Sequence, residues 1–444
     1  MAAEGGGRRL AFVGASAVAT GPAAPGPVRR PAWDDVGLRT GVGVGVEDGR
    51  IALIAPDDEV GEWFHAARSP DTLVDCGGRL ITAGLVDPHT HALFGKPRLE
   101  DHARRARGDD YKAIAAAGGG ILSSVADFRS RSEDALVALA LPRLAMLAAL
   151  GTTAVEIKSG YGLAVEPELK ALRAIARLRS EVPLQVVSTF LGAHEVPADY
   201  RSRRDAYVRL VIEEMLPAVA YAGLASFCDV FCEPGVFSIE ESEAILRAAA
   251  ALGLGLKVHA DELDPSGGAE LAARLGAASA DHLGAISPAG VEALAASETA
   301  AVLLPGTLVF LGRSRQAPAR ALLEAGAIVA LASDFNPGSS PSANLPLMMA
   351  LAVSQAWMQP EEAFLAATAN AAHAIRLGGS RGRLAVGAPA DLVVWNCRDV
   401  RELAYWYGIP LAWRVYASGC PCLGGGWGIS SPGSAGTVLS PPMS

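Results

Sequence analysis

Short hydrophobic runs alternate with amphipathic stretches along most of this chain. Between about Leu80 and Leu384, each apolar run has the length of a buried strand, and a segment rich in Ala, Leu, Glu and Arg follows it. Examples of these helical segments are Glu166–Arg179, Ile239–Leu252 and Gly268–Leu275. Because parallel strands are joined by a long crossover, usually a helix, this alternation predicts a parallel sheet.

Eight apolar runs of this kind can be counted in the middle of the chain. They end near His91, Ser159, His194, Glu233, His259, His282, Pro305 and Asp334. Eight strand–helix repeats favour a closed ring of strands over an open sheet. The predicted fold class is therefore α/β, with a TIM-like (β/α)8 barrel.

The two ends of the chain have a different pattern. Near the N-terminus, short apolar runs such as Val42–Val46 and Ile51–Ile54 lie between turn residues, which is typical of strands. The apolar run Leu10–Ala19 is interpreted as a first strand rather than a secretory signal, because Gly14 weakens its apolar core. After the last barrel helix, Gly382–Trp395 returns to a strand-like pattern.

These patterns divide the chain into three parts. Residues 80–381 are predicted to form the barrel. Residues 1–79 and 382–419 are predicted to form one small β-sandwich domain from both chain termini, with the barrel inserted between them. Residues 420–444 are mostly Gly, Ser and Pro and cannot bury much apolar surface, so they are predicted to be a flexible tail.

Composition narrows the classes of function. The chain has 444 residues, of which 50% are hydrophobic and 19% charged, and its formal net charge is −9. This is a globular composition, and its acidity weighs against binding to nucleic acid or to an anionic membrane surface. The six cysteines contain no C-x-x-C pair and are predicted to be buried thiols of a reducing compartment, so the expected location is the cytoplasm.

Histidines concentrate where the predicted barrel strands end. His89 and His91 follow the apolar run Leu80–Val86, which is predicted to be one strand. Because strand side chains alternate with a period of two, both histidines point to one side and can share a metal ion. His259 ends a second apolar strand, and Asp334 ends a third. Alone, His259 can also be explained as a core histidine and Asp334 as a helix cap. Together at one barrel mouth, three imidazoles and a carboxylate suit Zn²⁺ or Fe²⁺.

Other predicted strand ends are polar as well. His194 and His282 each end a strand, and Tyr161 follows the end of the second strand. Barrel enzymes build their sites at the carboxyl ends of the strands, so this placement indicates catalysis. The glycines at 118–120 are not followed by Gly-Lys-Ser/Thr and are not interpreted as a phosphate loop.

Eight short sequence motifs in this region match the motifs of one protein family. They are Asp87–His91, Ala117–Ile121, Glu156–Leu163, Leu191–His194, Asp229–Glu233, His259–Glu262, Ser279–Leu283 and Ser333–Gly338. On the basis of these motifs, residues from about 81 to 410 resemble the amidohydrolase superfamily and, within it, the imidazolonepropionase family.

The resemblance implies a reaction and a set of site residues. The reaction is hydrolysis of 4-imidazolone-5-propanoate to N-formimidoyl-L-glutamate in histidine degradation, by attack of hydroxide bound to one Zn²⁺ or Fe ion. The implied metal ligands are His89, His91, His259 and Asp334. The implied substrate contacts are Arg98, Tyr161, His194, Glu262, Asn336, Gly338 and Ser339. The implied catalytic residues are Glu262, His282 and Asp334.

Elementary chemistry agrees with these implied roles. A metal ion lowers the pKa of its bound water from 15.7 to about 7. His282 can hydrogen-bond the developing oxyanion, and Glu262 or Asp334 can move the proton from the water to the leaving ring nitrogen. Arg98 can hold the propanoate carboxylate through two hydrogen bonds.

The use of Glu262 beside His259 requires a turn. The two residues are three positions apart, so on an ideal strand their side chains face opposite sides. A turn at Ala260-Asp261 would bring Glu262 over the barrel mouth. A helix cap or a surface ion pair is the ordinary alternative for Glu262.

The chain departs from the family in places, and two alternative functions stay open. The sequence of the segment Gly95–His102 differs from the usual family sequence, although Arg98 falls at the expected place. The tail after residue 419 does not resemble the last strand of family members.

One alternative function is that of another cyclic-amide hydrolase or a deaminase of the superfamily, and the other is a barrel scaffold without metal or catalysis. Dinuclear members have a carboxylated lysine at the end of strand four, where this chain has Phe231–Glu233, which favours one metal ion. The expected partner is a small-molecule substrate, and a homodimer is left open.

Overall fold

The strands of the protein form three sheets. The computed structural model describes residues 8–66, 72–109, 113–114, 118–312 and 316–422. The strands in chain order are β1 (Arg9–Val13), β2 (Ala17–Ala19), β3 (Leu38–Arg39), β4 (Val42–Glu47), β5 (Arg50–Pro56), β6 (Thr72–Asp75), β7 (Leu80–Ala83), β8 (Leu85–Asp87), β9 (Thr152–Lys158), β10 (Gln185–Ala193), β11 (Phe227–Cys232), β12 (Gly255–Ala260), β13 (Ser279–His282), β14 (Ala300–Leu303), β15 (Ile328–Leu331), β16 (Leu392–Trp395), β17 (Ala412–Ala417) and β18 (Cys420–Pro421).

Helices connect most of these strands. In chain order they are α1 (Asp57–His65), α2 (Leu99–Ala106), α3 (Ile121–Ser130), α4 (Glu133–Ala149), α5 (Val165–Glu181), α6 (Arg204–Leu210), α7 (Leu216–Ala222), α8 (Ile239–Ala251), α9 (Gly268–Leu275), α10 (Pro288–Ala295), α11 (Pro305–Phe310), α12 (Ala319–Ala325), α13 (Leu345–Ala356), α14 (Pro360–Ala366), α15 (Ala369–Ala374) and α16 (Glu402–Tyr405). One π-helical turn, Val211–Met215, joins α6 to α7, and 3-10 turns occupy Trp33–Val36 and Ala198–Tyr200.

The central sheet is a barrel of eight strands, β8 to β15. They lie side by side in chain order, and every neighbouring pair is parallel. The first and last strands meet at the mouth, where Thr90 and Phe335 form a parallel bridge. There the backbone N–H of Asp334 donates to the carbonyl of His89 at 3.1 Å. The predicted (β/α)8 barrel is confirmed.

Helix α8 begins where the sequence supplies a cap. Ser238 precedes α8, and its hydroxyl accepts from the backbone N–H of Glu241 at 3.2 Å, while the Glu241 carboxylate accepts from the N–H of Ser238 at 2.9 Å. This reciprocal capping box satisfies two N–H groups that the first helical turn leaves unpaired. The helix predicted at 239–252 accordingly starts at Ile239, and α9 has the predicted bounds.

The apolar run from Leu80 to Val86, expected to be one strand, is divided between two sheets. The first part is β7, which pairs with β2 and β16, and the second is the barrel strand β8. The break falls at Gly84, where a Cβ atom would lie 2.2 Å from Oγ1 of Thr153. Only glycine allows the chain to pass so close to β9 as it enters the barrel.

Strands from both chain ends form the remaining two sheets. One has the order β5-β4-β1-β6, and the other has the order β18-β17-β16-β7-β2-β3. Buried side chains from both sheets share one apolar cluster, in which the rings of Phe12 and Tyr416 meet edge to face with centroids 4.9 Å apart. This arrangement agrees with a small β domain built from both termini, and the exact boundaries at residues 79 and 382 stay a prediction.

Two details of the C-terminal part differ from expectation. Within Gly382–Trp395 only Leu392–Trp395 is a strand, and the preceding residues form turns. Cys420 and Pro421, assigned to the tail, instead pair with β17 as strand β18, and the rest of the predicted tail from residue 423 lies outside the described residues. Four of the six cysteines are buried as predicted, but Cys420 is exposed and Cys422 half-buried, because they lie at this sheet edge.

None of the described helices combines the length and the apolar character needed to cross a bilayer.

Candidate active site and metal centre

Four residues predicted to bind a metal lie together at the barrel mouth. His89, His91, His259 and Asp334 are each at most 3% exposed. Nε2 of His89 is 3.7 Å, and Nε2 of His91 3.6 Å, from Oδ1 of Asp334. The rings of His89 and His259 are 4.5 Å apart between centroids. Potential ligand atoms of His89, His91 and Asp334 all lie within 4.8 Å of one another, and those of His89, His259 and His282 form a second such group.

In two of these histidines, a hydrogen bond occupies one ring nitrogen and leaves the other available. Nδ1 of His89 is 2.6 Å from Oδ2 of Asp281, and Nδ1 of His259 is 3.1 Å from Oδ1 of Asp229. Nε2 of His89 and Nε2 of His259 are buried and have no hydrogen-bond partner among the described residues. Buried polar atoms are rarely left unpaired, and a carboxylate on one ring nitrogen with the other nitrogen free is the pattern of metal-binding histidines. These residues therefore fit a metal ion.

Burial keeps the histidines in the form that binds metals. It lowers the pKa of His89, His91 and His282 well below the usual 6.5, so their imidazoles are neutral. Neutral imidazole nitrogen is the metal ligand. Burial also raises the pKa of Asp334 to about 6, although Thr307 donates a hydrogen bond of 2.6 Å to its Oδ2. A cation beside Asp334 would stabilise its charged form.

Three residues at the mouth have left-handed backbone conformations. The φ angles are 50° at Asp261, 81° at His282 and 51° at Asp334. Each residue lies at or just after the end of a barrel strand, where the chain turns away from the sheet. Positive φ is uncommon outside glycine, and such residues cluster at active sites.

The turn at Asp261 has the consequence expected for Glu262. Strand β12 ends at Ala260, and the chain then reverses so that Oε2 of Glu262 lies 3.7 Å from Nε2 of His282. The backbone N–H of Glu262 donates to Oε2 of Glu233 at 3.1 Å, which holds this turn against the end of β11. Glu262 and His282 thus face each other beside the predicted ligands.

Aromatic side chains form one wall of the mouth. The ring of His194 stacks on that of His91 with centroids 5.1 Å apart, and Tyr161 lies 5.5 Å from His194. Nδ1 of His194 donates to the carbonyl of Gly160 at 2.9 Å, which leaves Nε2 as the remaining ring nitrogen. Burial lowers the pKa of His194 to about 3, so this histidine is neutral as well.

The loop after β15 also borders the mouth. Oδ1 of Asn336 accepts from the backbone N–H groups of Gly338 and Ser339, both at 2.8 Å. Nδ2 of Asn336 donates to the carbonyl of Asp334 at 2.7 Å, which ties this loop to a predicted metal ligand. Arg98 packs directly on Gly338, because a Cβ there would lie 1.1 Å from an Nη atom of the arginine. The contacts thus place every predicted site residue around one mouth.

Sequence reasoning assigned no role to the charged residues beneath the mouth. Asp229 and Asp281 contact the histidines, and Glu156, Lys158 and Lys257 contact these two carboxylates or one another. The spacing of these residues in the sequence is the feature that could have identified them. Glu156 and Lys158 are two residues apart in an otherwise apolar strand and therefore face the same side. The same holds for Lys257 and His259.

Comparisons with known proteins agree with this geometry. The amidohydrolase family model matches residues 80–410. The chain is 48% identical to an imidazolonepropionase of Symbiobacterium thermophilum, over 92% of this chain and 96% of the relative, and 44% identical to one of Bacillus velezensis, over 89% and 92%.

A solved structure shares the fold at low identity. An adenosine deaminase from Xanthomonas campestris with bound zinc superposes with a TM-score of 0.66 at 18% identity, over 93% of this chain and 92% of the other. The family resemblance drawn from the sequence is confirmed. The chain therefore belongs to the amidohydrolase family and, within it, to the imidazolonepropionases, and it is a hydrolase acting on C–N bonds.

Proposed function

We propose that this barrel opens the ring of 4-imidazolone-5-propanoate and releases N-formimidoyl-L-glutamate, a step of histidine degradation. The observation that carries this proposal is the group of His89, His91, His259 and Asp334, with Glu262 and His282 beside it, at the mouth of a barrel of the imidazolonepropionase family.

One Zn²⁺ or Fe ion per chain is proposed at this group. The free Nε2 atoms of His89 and His259, with His91 and Asp334, supply the nitrogen and oxygen ligands that either ion accepts. When bound, such an ion polarises a carbonyl and makes water acidic enough to react near pH 7. Elemental analysis should find one ion per chain, and the His89→Ala/His91→Ala variant should lose it. Two ions per chain, or unchanged metal in the variant, would contradict the assignment.

The substrate is oriented by its carboxylate arm and its ring. Arg98, which packs on Gly338, receives the propanoate carboxylate through two hydrogen bonds. Tyr161 and His194 on the aromatic wall contact the ring or the arm. In the loop after β15, Asn336 fixes the backbone of Gly338 and Ser339, whose polar groups complete the binding of the substrate.

The proton transfers fall to residues around the mouth. Water adds to the ring carbonyl, the C–N bond breaks, and the ring nitrogen takes up a proton. His282 donates a hydrogen bond to the carbonyl oxygen as negative charge develops there. Glu262 takes the proton from water and gives it to the leaving nitrogen, and Asp334 is the other carboxylate in reach of the same region.

The proposal is tested by comparing substrates. Purified protein should hydrolyse imidazolonepropanoate much faster than dihydroorotate or guanine. Preference for dihydroorotate would indicate another cyclic-amide hydrolase, and release of ammonia from guanine would indicate a deaminase. A protein that binds metal and turns over none of the three would contradict the substrate, and one without metal or turnover would be the scaffold alternative.

A location and an assembly state are proposed as well. The six cysteines are free thiols in this structure, which suits a reducing compartment, and the cytoplasm is proposed. A homodimer is also proposed, since Tyr405, Trp406 and Tyr407 offer exposed aromatic surface. Fractionation of cells and light scattering of the purified protein test the two statements.

A further inference from the structure

Five charged side chains lie inside the barrel directly below the proposed metal ligands. They are Glu156, Lys158, Asp229, Lys257 and Asp281, and we call them the buried charge layer. Each is 0% exposed. They come from four strands, β9, β11, β12 and β13. Fully buried charged side chains are rare unless they are paired, so a group of five such side chains needs a physical explanation.

Lys158 is the centre of this layer. Its Nζ lies 2.7 Å from Oδ2 of Asp229, 2.8 Å from Oε2 of Glu156 and 3.7 Å from Oδ2 of Asp281. Burial would favour the neutral amine, but the three carboxylates outweigh burial and raise the pKa of Lys158. The ammonium group of Lys158 is therefore held between three carboxylates.

Lys257 ties the same acids to the first strand of the barrel. Its Nζ donates to the carbonyl of Pro88 at 2.8 Å, the residue before His89. It also lies 3.3 Å from Oε2 of Glu156 and 3.7 Å from Oδ2 of Asp281. The layer thus contacts the ring of His89 and the backbone carbonyl of the residue before it.

Two members of the layer contact the ligands themselves. Asp281 is hydrogen-bonded to Nδ1 of His89, and Asp229 to Nδ1 of His259. A neutral imidazole has one N–H, so a carboxylate acceptor at Nδ1 places the lone pair on Nε2. The same bond fixes the rotation of each ring.

From these contacts we propose that Lys158 is a positioning residue of the metal centre: its ammonium group holds Asp229, and through Asp229 it aims Nε2 of His259 at the metal. In the same way, the ammonium group of Lys257 holds Asp281, and through Asp281 it aims Nε2 of His89 at the metal. This inference rests on the metal centre of the proposed function.

Stability of the fold alone does not account for the layer. Replacing buried ion pairs with apolar residues of similar volume is often neutral or stabilising, so such pairs are a weak means of stabilising a protein. In a layer that served only the core, no preference for contacts with ligand histidines would be expected. Here both aspartates bond to histidines of the proposed centre.

The test measures Zn²⁺ affinity of the folded, metal-stripped protein by competition with a chromophoric chelator. Lys158→Met and Asp229→Asn should each weaken binding by about 10–100-fold. The double variant should lose less than the product of the two single losses, because both act through one contact. The absorption spectrum of bound Co²⁺ should change in each variant, which a merely structural role would not cause in folded protein.

A matched control is Asp391→Asn in the β domain, where a buried aspartate pairs with Arg381 and no proposed ligand is bonded to it. Its Zn²⁺ affinity should equal that of the parent. Affinities of Lys158→Met and Asp229→Asn within twofold of the parent, or losses that simply multiply, would overturn the inference. If Lys158→Met fails to fold, the isosteric Asp229→Asn decides alone. A parent that binds no Zn²⁺ and opens no ring would defeat the proposed function instead.

Discussion

The two ring nitrogens of His89 have different neighbours, and this difference defines its role. Nδ1 is bonded to Asp281, whereas Nε2 faces the mouth without a partner among the described residues. The sequence placed His89 beside His91 through period-two spacing, so its position in the proposed metal site could be predicted. Asp281 could not be assigned as its partner, because that contact joins β13 to the residues after β8 and depends on how the barrel closes.

At the same scale, Glu262 is expected to move protons without binding the metal. Glu262→Gln keeps the shape of the side chain but cannot take up a proton, so kcat should fall by about 10²–10⁴-fold while metal content stays at the parent level. Steady-state kinetics and elemental analysis check this. Glu270→Gln is the control, since Glu270 bonds to Ser287 on the neighbouring loop, and it should keep full activity. Near-normal turnover in Glu262→Gln would return this residue to a structural role.

Arg98 and Gly338 are expected to act as one unit. Arg98→Ala removes the group that receives the carboxylate, and Gly338→Ala displaces it, because the new Cβ would overlap the guanidinium. Both should raise KM strongly, since losing one partner of a buried charge pair costs about 2–5 kcal/mol. Gly61→Ala is the control, because nothing lies within 4 Å of its added Cβ. An unchanged kcat/KM in Arg98→Ala would show that the carboxylate binds elsewhere.

At the scale of elements, function depends on what happens where a strand ends. The end of β12 shows this: Asp261 has a φ of 50°, and its carboxylate accepts from the backbone N–H groups of Ser266, Gly267 and Ala269. These bonds define the loop that presents Glu262. The turn was predicted from the spacing of His259 and Glu262, but the acceptor that stabilises it was not, because it bonds to residues five to eight positions later.

Asp261→Ala should therefore loosen this loop. It leaves three backbone N–H groups without their acceptor, and each buried unsatisfied group costs about 1–3 kcal/mol. Alanine also tolerates a positive φ less well than aspartate. The free energy of unfolding in urea and kcat should both decrease, and Asp261→Asn, which keeps an acceptor oxygen, should lose less of each. Asp261→Ala with the stability and turnover of the parent would contradict this reading of the loop.

The limits of prediction at this scale have physical causes. Helix bounds followed from local composition, so α8 and α9 were placed within a residue of their observed ends, and the capping box at Ser238 marks the start of α8. The run Leu80–Val86 was not recognised as two strands, because its division at Gly84 depends on the approach of Thr153, which lies 69 positions later in the chain. Local signals fix elements, whereas contacts between distant strands decide where an element stops.

At the scale of the molecule, the proposed metal site lies on the seam where the barrel closes. Neighbouring strands elsewhere in the ring pair over several residues. The described backbones of β8 and β15 are instead joined beyond the strand ends, by the bridge of Thr90 and Phe335 and the bond from Asp334 N–H to the His89 carbonyl. His89 and His91 lie on one side of this seam and Asp334 on the other. A shared ion would join the first and last strands of the barrel, which are some 240 residues apart in the sequence.

Metal removal is therefore expected to weaken the seam before the rest of the barrel. Zn²⁺ at a hundredfold excess over its Kd should stabilise the folded protein by about 2.7 kcal/mol, because only the folded chain brings the ligands together. Hydrogen exchange of the metal-stripped protein should increase most in residues 85–91 and 328–336 and least between β10 and β11, which pair in the body of the ring. The His89→Ala/His91→Ala variant is the control and should show the fast exchange with or without Zn²⁺. A uniform increase in the exchange rate around the whole ring would mean that the ion stabilises the barrel generally and does not specifically join its first and last strands.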